Sequence, residues 1–102
     1  MRVMLMFDLP VQTKKQRRVY SNFRKDLIKK GYIMLQFSVY VKLLNNRDSA
    51  VQHIHVIKKN LPQEGQVRIL MLTEKQYARM EVVLGGKSRQ EKIITIDPFM
   101  LV

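Results

Sequence analysis

Arg2-Val3-Met4-Leu5-Met6-Phe7 is a near-continuous apolar run that Asp8-Leu9-Pro10 brings to an end. A strand with apolar side chains on both of its faces must be covered on both, so this one belongs in the middle of a sheet. The run is too short for a signal peptide and meets an acid at once, so it reads as a first strand beginning at Met1.

Downstream, Thr13 is a suitable N-cap, and Lys14 to Lys30 carries helical periodicity up to Gly31, a C-cap glycine. At 100° per residue, Val19, Tyr20, Phe23 and Leu27 fall on one side of this helix. Lys14, Lys15, Arg17, Arg18, Arg24, Lys25 and Lys29 spread over the opposite arc. The helix should pack on a sheet and present a basic back.

The segment from Tyr32 to Leu44 is β-branched and aromatic, and too long for one average strand. It is either two strands or one strongly bent strand, with the break around Gln36 to Ser38. A second helix starts at Asn46 or Asp48 and runs to Asn60, with Ala50, Ile54, Ile57 and Leu61 as its apolar stripe. Pro62 closes it, and Glu64-Gly65 turns into a strand from Gln66 to Thr73. Tyr77 to Leu84 reads as a further strand ended by Gly85-Gly86. Lys87 to Glu91 is a charged loop, and Lys92 to Ile96 a short last strand. The order β-α-β-β-α-β, with two helices over one antiparallel sheet, predicts an α+β ferredoxin-like domain spanning 1–102 with added C-terminal strands. Ile93, Ile94 and Ile96 could complete the sheet of a second protomer, because exposed apolar edges tend to be paired. A homodimer is the expectation.

Composition narrows the partner. The chain has 102 residues, 46% of them apolar, and no apolar run near the roughly 20 residues that cross a bilayer, so no membrane partner is expected. The absence of cysteine excludes disulfides and thiolate metal sites, and suits a reducing cytoplasm. A net charge of +11 implies a polyanion, usually nucleic acid. Asp26 is the one acid between Lys14 and Lys30, so that basic face is poorly neutralised from within. Lys14, Lys15, Arg17, Arg18, Arg24 and Lys25 are therefore candidates to track a phosphate backbone without reading sequence.

Other residues yield little chemistry. His53 and His55 point about 200° apart on a helix and cannot share an ion. Ser38 has no Ser-His-Asp partnership and reads as a turn hydroxyl. Phe37 and Tyr40 could stack on bases, but alternating strand aromatics are more often core. Gly85-Gly86 lacks a phosphate-loop context.

Met4-Leu5-Met6-Phe7-Asp8-Leu9-Pro10, Tyr20-x-x-Phe23-Arg24-Lys25, Gln36-Phe37-Ser38-Val39-Tyr40 and Leu72-Thr73-Glu74-Lys75-Gln76-Tyr77 occur in order along the chain. Together they resemble the CRISPR-associated spacer-acquisition endonucleases, the Cas-two family, in its type II form. The resemblance implies a ferredoxin-like homodimer with metal-dependent endonuclease activity. It also implies a scaffold role in CRISPR adaptation, bridging dimers of the Cas-one integrase while DNA spans a basic surface. By the same resemblance Asp8 would be the catalytic and metal-binding residue, holding Mg²⁺ (or Mn²⁺) at the dimer interface. One position departs: Met34 stands where members studied as ribonucleases often carry Arg.

Physical chemistry limits that role. One carboxylate is too few for an ion that wants about six oxygens, and two facing Asp8 side chains would repel unless a cation or shared proton intervened. Asp8 could instead close an Asx-type turn before Pro10 and Thr13. Two rival functions remain on the same fold. One is a toxin-like metal-dependent endoribonuclease acting on RNA without the integrase. The other, a plain RNA-binding module, lacks the Gly-aromatic pattern of sheet-surface readers.

Overall fold

The structure, a computed structural model, describes residues 1–86. Its elements are β1 (Arg2–Asp8), α1 (Lys14–Lys29), β2 (Ile33–Gln36), β3 (Val39–Leu43), α2 (Arg47–Lys58), β4 (Gln66–Leu72) and α3 (Glu74–Ala78). The sheet is four-stranded, in the order β2-β3-β1-β4 and antiparallel throughout. This is the ferredoxin-like order, and β1 is an inner strand, as its two-sided apolar run requires.

Alternation along β1 divides the protein into two layers. Val3, Leu5 and Phe7 face the helices and pack with Phe23 and Leu27 of α1, Ala50 and Ile57 of α2, and Tyr32 and Tyr40. Full burial of a side chain such as Leu27, 0% exposed, stabilises the fold by about 1.5–3 kcal/mol. On the other face Met4 packs with Ile33, Val41 and Tyr77. The stripe of α1 is narrower than its periodicity suggests. Phe23 and Leu27 are buried, but Val19 at the stripe's margin is 40% exposed. Leu61 of the expected α2 stripe is likewise exposed, because α2 ends at Lys58 and the chain has already turned away.

Local chemistry sets the ends. Thr13 Oγ1 accepts from Gln16 N while the Gln16 side chain accepts from the Thr13 backbone, a capping box that starts α1. Asn46 caps α2 through Ser49 N. Past α1, Gly31 adopts φ +94° and the Lys42 ammonium covers the turn by donating to the Lys30 carbonyl. β2 and β3 are separate strands joined by Phe37-Ser38, with a register shift between Met34 and Gln36.

One strand expected from the sequence does not form. Tyr77 to Leu84 is not a strand: Tyr77 lies in α3, and residues 79–86 form no strand. Thr73-x-x-Gln76 repeats the capping box of α1 and starts a short helix, and Tyr77 is its buried residue. The expected loop at Lys87–Glu91, the strand at Lys92–Ile96 and its pairing with a partner lie outside the described residues.

Candidate nuclease and nucleic-acid site

Asp8 is the last residue of β1, opposite Gln66 of β4. It follows the helix-facing Phe7, so strand alternation puts it on the opposite face with Arg2, Met4 and Met6. Among the described residues its carboxylate has no hydrogen-bond or ion-pair partner, and the Asx-type turn does not form. The Gln16 side chain serves the amides of Gln12 and Thr13 instead. Gly65 holds the start of β4 against this corner. Its φ is +94°, and a Cβ there would fall on the Asp8 carbonyl oxygen and lie 2.8 Å from Leu9 Cδ2.

The surroundings of Asp8 are asymmetric. At the Arg2 end of the face, α3 covers the sheet. Arg2 is 3% exposed, its Nε donates to Glu74 Oε1 at 2.8 Å, and its guanidinium lies 3.9 Å from the centre of the Tyr77 ring. Asp8 is six residues further on, roughly 20 Å along the strand. Between the two ends Leu70, opposite Met4, is 49% exposed, and toward Asp8 Met6, Leu35 and Val39 are half-buried. Arg68 pairs with Met6, so it sits diagonal to Asp8 on the same face and is exposed. Neither Arg68 nor Arg2 was singled out from the sequence. The available signal was the period-2 alternation of Gln66–Leu72, which groups Arg68 with Leu70 and Leu72.

Among the described residues no group of three or more His, Cys, Asp or Glu side chains could hold a metal ion. Asp8 thus offers, among the described residues, a single exposed carboxylate without a partner, beside a partly uncovered apolar face. The His53 ring lies 5.4 Å from that of Tyr32, and its Nε2 is buried without a partner, as is the Tyr32 hydroxyl. Burial, then the charges of Lys42 and Lys30, push the His53 pKa down, and burial pushes the Tyr32 phenol up.

Lys14, Lys15, Arg17, Arg18, Arg24 and Lys25 are all exposed on α1. Helical geometry puts Lys14, Arg18 and Lys25 on its solvent crest, while Arg17 and Arg24 flank Tyr20 nearer the sheet. Arg17 donates from one guanidinium nitrogen to the carbonyls of Val11 (3.2 Å) and Gln12 (2.9 Å). Arg24 Nε donates to the Tyr40 hydroxyl at 2.9 Å. The first turn of α1 holds no acid to offset this charge. The basic back and Asp8 lie on opposite layers of the protein.

Residues 1–80 match the family model for CRISPR associated protein Cas2. A Treponema denticola protein is 54% identical over 98 residues, covering 93% of each chain. One from Campylobacter jejuni is 50% identical over 93 residues, 91% of this chain and 65% of its own. One from Acidovorax ebreus is 49% identical over 92 residues, 90% of each. All three are called CRISPR-associated endoribonuclease Cas2. The sheet order, the inner first strand ending in Asp8 and these matches agree: the chain belongs to the Cas2 family.

Proposed function

We propose that this protein is a metal-dependent endonuclease whose site is completed by a second copy, and that its basic back binds nucleic acid. The observation that carries the reading is the exposed carboxylate of Asp8, without a partner among the described residues, at the less covered end of a sheet face. Apposing two such faces would bury Leu70, Met6, Leu35 and Val39 and bring two Asp8 side chains together. A divalent cation (Mg²⁺ or Mn²⁺) held by that pair would offset their repulsion, neutralise charge on a phosphodiester and acidify a water for attack. Asp8 would hold the ion, Gly65 fixes the backbone of that corner, and Arg68 would supply a neighbouring positive charge for phosphate oxygens.

The names of the relatives favour RNA as one substrate. In CRISPR adaptation the same basic dimer would act as a scaffold, with DNA along the α1 helices and Cas-one integrase dimers at its ends. Asp8→Asn tests the site. Mg²⁺-dependent cleavage of RNA and DNA should fall at least about 100-fold, while sedimentation still reports a dimer. Unchanged cleavage would take the activity away from Asp8, and a monomeric parent protein would remove the shared site. Co-purification with the integrase would separate the scaffold from a toxin-like ribonuclease.

A further inference from the structure

Phe37 departs from the core role expected of it: it is 80% exposed, whereas Tyr40, three residues on, is buried. The loop carries a backbone constraint in this arrangement. Ser38 adopts φ +62°, a left-handed conformation that costs a residue with a Cβ about 1–2 kcal/mol. Phe7 N donates to Ser38 O at 3.1 Å, which fixes the loop beside the end of β1, one residue before Asp8.

The exposed ring is backed by others. Tyr20 stacks on it at 6.4 Å between centroids and 24° between planes. Tyr20 in turn meets Phe7 at 5.7 Å, and Phe7 is wedged against Phe23 at 5.1 Å and Tyr40 at 5.7 Å. Phe37 is thus the outermost ring of a stack rooted in the core. Arg17 and Arg24 lie three residues before and four after Tyr20, so both share its side of α1. Each is steadied by the hydrogen bonds already described and keeps further N–H donors.

We infer that Phe37 is a stacking platform for an unpaired nucleobase, with Arg17 and Arg24 receiving the flanking phosphates. An open ring stacked on Tyr20, with two fixed guanidinium groups on the same side of α1, matches the two chemistries of a single strand, a π-surface and a polyanionic backbone. A second copy seated on the same spot about a two-fold axis would set Arg17 and Arg24 against their own counterparts, which makes it a poor occupant there. The inference rests on the reading of α1 as a nucleic-acid surface. It adds that strand ends are held at the Asp8 end of β1, on the helix layer.

The test compares a flush-ended duplex with the same duplex carrying a short unpaired extension, made in DNA and in RNA. The parent protein should bind the extended forms more tightly. Phe37→Ala should lose about 5- to 100-fold in affinity for them, with flush-end affinity and Tm unchanged. Phe37→Trp should retain binding, and its indole, the sole Trp in a chain that has none, should be quenched by the extension. Loss from DNA alone or RNA alone assigns the strand. Equal losses on flush and extended duplexes, or an unquenched indole, would overturn the platform. Dissociation of a dimer by Phe37→Ala would make this an interface between copies and overturn it too. A parent that binds no duplex would defeat the α1 reading first. A parent that binds the flush duplex but gains nothing from the extension defeats the platform alone.

Discussion

Glu74→Ala removes one carboxylate and leaves a buried guanidinium without its counter-charge. Arg2 is 4% exposed at the side chain and Glu74 is 41% exposed, with 2.8 Å between Nε and Oε1. Breaking a fully buried ion pair costs about 3–5 kcal/mol, chiefly because the remaining charge is stranded. Glu74 is partly hydrated, so its field at Arg2 is already screened. The Tyr77 ring, 3.9 Å from the guanidinium carbon, remains to stabilise the cation. Those corrections bring the expected cost down to about 2 kcal/mol. At roughly 4–8 °C per kcal/mol for a domain of this size, Tm should fall by about 10 °C. The assay is thermal unfolding at one fixed protein concentration, since association shifts Tm as well.

A second variant separates charge from packing. Arg2 is flanked on its face by Leu43 and Leu72, its register partners in β3 and β4. Arg2→Leu combined with Glu74→Ala removes the stranded charge and puts an apolar side chain among apolar neighbours. The double variant should therefore be more stable than Glu74→Ala alone, despite carrying one more change. If the two losses simply add, the cost lay in packing of α3 and the charge argument fails. If Glu74→Ala unfolds no earlier than the exposed control Lys75→Ala, the pair contributes nothing.

Gly65→Ala should destabilise by at least about 2 kcal/mol in urea unfolding, because φ +94° and the Asp8 carbonyl both exclude a Cβ. Ser38→Gly should instead gain up to about 1 kcal/mol by relieving the left-handed Ser38, with Phe37 exposure unchanged. Charge reversal at Arg18 and Lys25 should weaken duplex binding for every sequence and flatten the salt slope by about 0.9 for each phosphate no longer neutralised; a sequence-selective effect would contradict backbone tracking. His53 has its folded pKa below the usual 6.5, so the unfolded chain takes up the proton first as pH falls. Its contribution is thus complete above about pH 6.5 and declines below that, toward the folded pKa. Tm of His53→Gln should change less over that acid interval than Tm of the parent.

Periodicity over long segments was legible from the residues, since an apolar run of period one and a stripe of period 3.6 leave little choice of layer. β1 as an inner strand and α1 with its basic back follow from that, and the excess length of Tyr32–Leu44 put a break or bend around Gln36 to Ser38. Short elements were less legible. In Tyr77–Leu84 a β-rich composition outweighed the Thr73-x-x-Gln76 cap, although Thr13-x-x-Gln16 marks α1 by the same pattern. Phe37 misled for a related reason: an aromatic in an apolar segment looks like core until the turn that expels it is located. Arg68 and the Arg2–Glu74 pair depend on cross-strand register and on an approach across 72 residues of chain, which local pattern does not encode.

Met34 shows how the structure changes the weight of a sequence difference. It pairs with Tyr40 across β2 and β3 and packs against the helix-facing core, on the layer opposite Asp8. A guanidinium at position 34 would have entered the neighbourhood of the Tyr40 hydroxyl, and Arg24 already occupies that neighbourhood from α1. The missing Arg therefore removes no cation from the Asp8 face, where Arg68 stands. Met34→Arg should accordingly crowd or displace Arg24 and alter strand binding on α1. It should leave the metal-dependent cleavage that we propose for Asp8 where it was. A variant that instead restored or raised Mg²⁺-dependent cleavage without changing affinity would show that position 34 reaches the Asp8 site, and the two-layer division of labour would be wrong.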